Sequence, residues 1–381
     1  MTGRERILST ISGEIPDRVP VSFFLQEEFL SYYYPDKDKV DRVKDAVACG
    51  IELGLDIMPR GREFEHPHFM KKSFLNWDLN HKYQRDGNNI LHITEITTPK
   101  GILKQVEVGP YNEKTGAGVH MATHEYLIKD ERDFEIFSQY VPAIDQETIT
   151  AMKAYGEYIQ KLLGEQGMAS PWGWSGVFNQ VAGYRDVQNL LMDAYINRDF
   201  YEAYMEKLTE LMVEYNRALA DTALDCIGLQ GNIANSAMVG DQFFNEYILP
   251  YEKRLVSAIK ENGTYTLYHN CGKAKILQES YVEMGLDVWE TVAEAPVGDN
   301  TLREAKKLVG NRITLAGNLD QVNFLKQASL AEVERSVVDM MAIGKPGGRY
   351  IFAASDFLEK NTPIENIKKA IEVAIREGKY E

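Results

Sequence analysis

The chain has 381 residues, 44% of them hydrophobic, and a formal net charge of −15, so it can bury a full core, and so acidic a surface excludes nucleic acid and anionic membrane faces as free partners. No stretch approaches the ~18 uncharged apolar residues of a membrane helix. Three cysteines, Cys49, Cys226 and Cys271, suggest no disulfide framework, and with no secretory apolar core after Met1 the expectation is a cytoplasmic protein in a reducing compartment.

Ile7, Leu8 and Ile11 stand at helical spacing and predict a short amphipathic helix over 4–12. Gly13-Glu14-Ile15-Pro16 then turns the chain into an apolar run over 19–25, read as the first buried strand. Tyr32-Tyr33-Tyr34 stops at Pro35; packing accounts for it, and a wall for a flat substrate is the other reading. Val40, Val43, Val47 and Ile51 predict a helix over 38–53 that takes Cys49 into the core. Residues 55–59 read as the second strand. After it, His66 and His68 lie near Glu63 and Glu65, a metal candidate weakened by the kink at Pro67 and the lack of a thiol. From about 90 to 128 short alternating runs, such as 91–96 and 102–108 joined through Thr98-Pro99-Lys100-Gly101, predict inserted antiparallel strands. Gly116-Ala117-Gly118 is too short for a phosphate loop, and His120 and His124 flank a strand-like stretch and are not read as a metal pair.

Helical spacing returns over 130–164. A strand at 168–172 runs into Trp172-Gly173-Trp174, whose two indoles either wall a flat ligand or fill the mouth of the fold. Helices are predicted near 184–194 and 198–221. The run 224–229 is an apolar strand with Cys226 in the core, and the loop after it, 230–235, is dense in amide side chains. A helix over 241–262, bent or restarted at Pro250, leads into Tyr265-Thr266-Leu267-Tyr268-His269-Asn270-Cys271-Gly272. This stretch reads as a strand ending on two metal ligands. Residues two apart in a strand point to one side, so His269 and Cys271 can converge, and imidazole with thiolate suits zinc. A strand-end histidine beside a plain buried thiol is the alternative. There follow a helix over 273–284, a strand over 286–290 with Glu290 at its end, and a helix over 300–309. Next come a strand and loop over 313–320 containing Asn318, a helix over 329–343, and a strand that reaches Asp356. The last helix puts Ile364, Ile367, Ile371 and Ile375 on one stripe.

Strands separated by helical crossovers, repeating at roughly twenty to forty residues, are the rhythm of a (β/α)8 barrel. A doubly wound open sheet is the second choice, and no Gly-x-Gly-x-x-Gly loop supports it. Barrel chemistry sits at the C-terminal strand ends, where Gln230, His269, Cys271, Glu290, Asn318 and Asp356 all fall. The expected fold is therefore an α/β (β/α)8 TIM barrel, one domain over 1–381, with a small antiparallel insertion at about 90–128.

The opening Arg4-Glu5-Arg6-Ile7-Leu8, with Gly13-Glu14-Ile15-Pro16-Asp17-Arg18-Val19-Pro20-Val21 after it, resembles the start of the uroporphyrinogen decarboxylase superfamily. His269-Asn270-Cys271-Gly272 and the ending, Gly347-Gly348-Arg349-Tyr350-Ile351 through Thr362-Pro363-Ile364-Glu365-Asn366, resemble its corrinoid-dependent methyltransferase branch. The resemblance covers nearly the whole length and implies the same barrel with its site at the rim. The decarboxylases carry an arginine-rich loop after the first strand, where this chain has Gln26-Glu27-Glu28-Phe29-Leu30. A substrate with many carboxylates is expected to be repelled, and porphyrinogen decarboxylation is not expected. The methyltransferase branch binds zinc through His-x-Cys and a later cysteine, whose place falls on Asp356.

The resemblance thus implies zinc held by His269, Cys271 and Asp356. With one thiolate in place of two, that shell suits an oxygen ligand better than thiol activation. It also implies a reaction, the O-demethylase half-reaction: a methyl group moves from a methoxylated, aromatic substrate to Co(I) of a corrinoid (cobalamin) carried by a partner protein. Glu290, Gln230 and Asn318 are expected to assist the leaving oxygen, and Asn232, Trp172 and Trp174 to hold the substrate. The rival readings are transfer from a methylated corrinoid protein to a thiol such as coenzyme M, and non-catalytic binding of a tetrapyrrole or aromatic ligand. The expected partners are the corrinoid protein and a small methylated substrate, and a homodimer is compatible with either direction.

Overall fold

The computed structural model describes residues 1–64, 66–112, 117–118 and 121–381. Glu65, Gly116 and His120, named above, lie outside the described residues. Helix α1 (Gly3–Ser12) is opened by a capping box, in which Thr2 accepts from the backbone of Glu5 and Glu5 reaches back. It is followed by α2 (Glu27–Tyr33), which carries Tyr32 and Tyr33, and α3 (Lys44–Leu53), shorter than the expected 38–53, which buries Cys49.

The antiparallel sheet consists of β1 (Asp78–Asp86), β2 (Asn89–Thr98), β3 (Gly101–Asn112), β4 (Ala117–Gly118) and β5 (Ala122–Glu125), in the order β1-β2-β3-β4 with β5 also on β3. It starts at Asp78, well before the expected position near 90. Strand β1 is polar and almost wholly exposed, so it carries no alternation for a sequence reading to find. Its existence rests on the hairpin at Gly87, where φ is 60°, and on ladder bonds to β2.

The helical spacing over 130–164 resolves into α4 (Glu131–Tyr140) and α5 (Gln146–Leu163). The break falls at Pro142, and Asp145 caps the second piece. Then come α6 (Val177–Tyr184), α7 (Val187–Ile196) and the long α8 (Arg198–Ala220). Short α9 (Asp241–Phe243) passes through a wide turn at Phe244–Ile248 into α10 (Leu249–Lys260), whose first turn holds Pro250. The restart expected at that proline is observed.

Five parallel strands carry the second half: β6 (Cys226–Gln230), β7 (Tyr265–His269), β8 (Val288–Thr291), β9 (Thr314–Leu319) and β10 (Tyr350–Ala354). They lie in the order β10-β9-β8-β7-β6. Helical crossovers α10, α11 (Gln278–Met284), α12 (Leu302–Leu308) and α13 (Leu330–Gly344) join them, and α14 (Ile364–Glu377) closes the chain. Strands β8, β9 and β10 are buried at every position, which is why they read as unbroken apolar runs.

The three earlier strands expected at 19–25, 55–59 and 168–172 are not ladders. Each contributes isolated parallel bridges: Val21 to Phe352, Ile57 to Gly167, and Trp172 to Gly228. Proline explains the thin pairing. Pro20 and Pro171 accept from Phe352 and Gly228 but have no N–H to return, and Pro59 ends the middle run. Inside these segments and the five strands lies a separate apolar cluster of Met58, Met168, Cys226, Leu267, Val288, Ala316 and Ile351, with Ile7 and Ile11 of α1 packed onto it as a stopper. Among the described residues no helix is long and apolar enough to cross a membrane.

Asp56 fastens that stopper. It is buried, with one oxygen 2.6 Å from Arg6 and the other 2.7 Å from Arg18, and it accepts from the Val21 backbone at 2.9 Å. Removing it takes away the one acid that Arg18 meets among the described residues and leaves Arg6 with Asp17 alone, at a cost of about 2–3 kcal/mol. Asp56→Ala is expected to lose stability on that scale in urea unfolding, and a change below ~1 kcal/mol would show that the network does not hold α1 in place.

Candidate functional site

Parallel register aligns the site. Gln230 of β6 pairs with His269 of β7, and His269 pairs with Glu290 of β8, so their side chains stand in a row at one end of the sheet. Tyr268 alternates to the other face, where its ring meets Tyr281 at 5.5 Å. The loop leaving β6 crosses closely over Tyr268, so that a Cβ on Gly231 would come 2.1 Å from its ring; only glycine fits there.

His269 is 3% exposed. Its Nδ1 lies 2.8 Å from Glu290 Oε2, and its Nε2 lies 3.6 Å from Asp356 Oδ1. The other oxygen of Glu290 accepts from Arg60 at 2.7 Å. Arg60 in turn donates to Ser170 Oγ at 2.6 Å and Met58 O at 3.1 Å. Cys271 is partly exposed, and Asn232 Oδ1 accepts from its backbone N–H at 3.3 Å. Below the strand end, Asn270 donates to the Tyr281 hydroxyl at 2.8 Å and accepts from Gly272 N–H at 3.0 Å, which fixes the turn carrying Cys271.

One ligating atom each from His269, Cys271 and Asp356 lie within 4.8 Å of one another. Electrostatics favours positive charge at that point. Burial alone would drive a proton off His269, but its hydrogen bonds with Cys271 and Glu290, and the charges of Glu290 and Asp356, outweigh burial and raise the imidazole to about 10. Donors that hold a proton so tightly hold a metal cation for the same reason, with the proton released. The Nδ1–carboxylate bond is also what orients a metal-bound histidine and leaves Nε2 facing the ion. The donor set of nitrogen, sulfur and oxygen fits zinc.

The other expected site residues divide. Gln230 and Trp172 line a cavity of about 490 Å³, as do Phe24 and Arg60. Trp172 meets His269 edge-on at 5.7 Å, and Phe24 meets both rings, at 5.8 and 6.4 Å, so the cavity abuts the candidate trio. Trp174 does not reach it. It is fully buried against His66, Phe69 and Tyr215, and its backbone N–H donates to Asn216 Oδ1 at 2.9 Å, an approach that leaves no room for a Cβ on Gly173.

Glu290 was expected to assist a leaving oxygen, but both its oxygens are taken. Burial raises its proton affinity, yet the charge of Arg60 and the bonds to His269 dominate and lower it to about 2, so it has no proton to give and acts by orienting the histidine. Asn318 directs its amide nitrogen to Val292 O at 3.2 Å and Glu294 at 2.9 Å, bracing the loop after β8. Asn232 serves Cys271 in the same supporting way.

His68 is bonded to the carbonyls of Pro142 and Ala143, and His66 packs on Trp174 and Tyr215; among the described residues neither joins a metal cluster. Cys49 and Cys226 are buried free thiols, as expected. Sequence reasoning passed over Arg60 and Phe24. The signal for Arg60 was present: a cation directly after an apolar strand ending in Pro59, where a barrel strand delivers its functional residue.

The family model described as Uroporphyrinogen decarboxylase (URO-D) matches residues 132–376. The chain is 24% identical over 182 residues to the methylcobamide:CoM methyltransferase MtbA of Methanosarcina mazei, covering 47% of this chain and 50% of that protein. It is 29% identical over 193 residues to the uroporphyrinogen decarboxylase of Syntrophotalea carbinolica, covering 49% and 51%. The chain thus spans about half the length of the curated relatives it matches. A solved methyltransferase from Methanosarcina mazei superposes over 98% of both chains with a TM-score of 0.69 at 15% identity, a likeness of fold.

The Arg60–Glu290–His269 relay predicts a pH signature. Glu290 ionises more readily in the folded chain than in the unfolded one, so its stabilisation is full above the ordinary 4.5 and is lost as pH falls toward about 2. Glu290→Gln is expected to cost about 3 kcal/mol at pH 7, with the gap to wild type closing in unfolding series taken below pH 4.5. A gap independent of pH would mean that the carboxylate charge is not what stabilises the relay.

Proposed function

The chain belongs to the uroporphyrinogen decarboxylase family, and within it we propose that this protein is a zinc-dependent methyltransferase acting with a corrinoid protein, taking its methyl group from a methoxylated aromatic compound. The observation that carries this reading is the convergence of His269, Cys271 and Asp356 beside a cavity walled by Phe24 and Trp172. In the transfer, the methyl carbon leaves its oxygen, the bonding pair stays on that oxygen, and Co(I) of the partner supplies the pair for the new carbon–cobalt bond. Zinc held by the three side chains would supply Lewis acidity toward that oxygen. The chain's own part is binding, orientation and exclusion of water. Glu290 keeps Nε2 of His269 turned toward Asp356, Asn232 fixes Cys271, and Trp172 and Phe24 offer ring faces and edges to a flat substrate.

The same reading takes residues 1–381 as one (β/α)8 barrel. It is supported by the bridges from Val21, Ile57 and Trp172, which carry the parallel pairing past β10 and β6, and by the inner apolar cluster. The likeness to a methyltransferase structure over 98% of both chains supports it further.

A second reading, transfer from a methylated corrinoid protein to a thiol, is favoured by the names of the relatives, among them MtbA of Methanosarcina mazei and a methylated-thiol–coenzyme M methyltransferase of the same organism. Asp356 argues for the first: a shell with one thiolate is a harder acid and prefers oxygen.

Two measurements test these readings. Metal analysis is expected to find stoichiometric zinc in wild type and little in Cys271→Ala and Asp356→Ala; full zinc in Asp356→Ala rejects that ligand. Cobalt spectra should change when zinc-loaded enzyme, Co(I) corrinoid protein and a methoxyarene are combined. Silence across a broad panel, with methylcobalamin demethylated by thiols instead, would select the second reading.

A further inference from the structure

The cavity beside the candidate trio has a wall whose charge opposes that of the whole molecule. The chain carries −15, yet four cations, Arg42, Arg60, Arg62 and Lys71, line the cavity against two carboxylates, Glu27 and Glu28. Arg42 pairs with Glu27 at 2.6 Å and Arg60 with Glu290 at 2.7 Å. Arg62 is half-buried and has no acid partner among the described residues; its Nη1 reaches only the carbonyls of Trp172 and Gly173, at 3.3 and 3.5 Å. Burial lowers its proton affinity, with no carboxylate among the opposing influences. Two further buried nitrogens, Arg60 Nε and His66 Nδ1, have no partner among the described residues, and both residues line this cavity.

Buried donors without acceptors are costly unless a ligand satisfies them. A carboxylate brings the missing charge and about four lone pairs, and a planar guanidinium matches its geometry. Arg42 already neutralises Glu27, so the acids after the first strand oppose a polyanion without opposing one carboxylate. A cavity of about 490 Å³ suits one small aromatic molecule. Resting on the function proposed above, we propose that the methyl donor is itself anionic, a methoxylated aromatic carboxylate, and that Arg62 is the specificity residue that holds its carboxylate while the ring lies against Trp172.

Binding tests this separately from chemistry. The full chain is titrated calorimetrically with ortho-, meta- and para-methoxybenzoate and with the matching neutral methoxybenzamides, using wild type, Arg62→Gln and Arg62→Lys, each checked for cooperative unfolding. At least one acid should bind wild type roughly tenfold or more tightly than its amide. Arg62→Gln should weaken that acid by roughly tenfold or more and leave the amide unchanged, and Arg62→Lys should recover part of the loss. No binding by any acid, equal affinity of acid and amide, or an unchanged acid affinity in folded Arg62→Gln overturns the inference. So does inorganic phosphate displacing a bound acid at lower concentration than benzoate, which would mark a phosphate site instead. Acids bound through Arg62 that never methylate cobalt would sink the proposed function and leave Arg62 standing as a carboxylate site. Methoxybenzoates methylating cobalt equally well in wild type and folded Arg62→Gln would do the reverse.

Discussion

The site depends on a buried line of charge from Arg60 through Glu290 to His269. Each member is almost wholly removed from water, and none is tolerable there alone, because an unpaired buried ion costs several kcal/mol. Together they alternate in sign, and Asp356 ends the line at 3.6 Å from His269. The result is a histidine whose outer nitrogen is fixed in direction and enriched in electron density, facing a thiol and a carboxylate. That is a local demand for a cation, and it exists because Glu290 and Arg60 lie behind the imidazole.

The fold provides this line through register. Parallel pairing places Gln230, His269 and Glu290 at one level, and Arg60 arrives from the segment that bridges to Gly167 through Ile57. The prolines that thin the ladders of the early segments do not disturb that end. They remove donors, while the carbonyls of Pro20 and Pro171 still accept from Phe352 and Gly228. The opposite end is closed differently, by α1 seated on the inner apolar cluster and tied down through Asp56. One end is thus packed and pinned, and the other is left with a polar rim and a cavity.

Much of this was legible from the chain. The second-half strands and helices carry strong periodicity because burial on both faces leaves continuous apolar runs, and His269, Cys271 and Asp356 stand at strand ends that local patterning locates well. Strand β1 was not legible, since its residues are exposed and its pairing comes from the neighbouring strand. Trp174 shows the other limit. Two tryptophans separated by one glycine look equivalent in sequence, yet Trp172 lines the cavity and Trp174 is buried among aromatic rings.

The amino-acid sequence by itself determined most helices and the five second-half strands, the alternating α/β plan and the spacing that lets an imidazole and a thiol face one point, because those follow from local period and residue chemistry. Tertiary structure decided which polar groups touch the substrate space and which only support others. Glu290, Asn232 and Asn318 read as candidates for direct action, but both oxygens of Glu290 go to His269 and Arg60, the Asn232 side-chain oxygen goes to Cys271, and the Asn318 amide nitrogen goes to Val292 and Glu294. No local pattern singles out Arg62, yet packing leaves it without an acid among the described residues at the wall of the cavity. Partners far apart along the chain are chosen by packing, and no local pattern encodes which of them will meet.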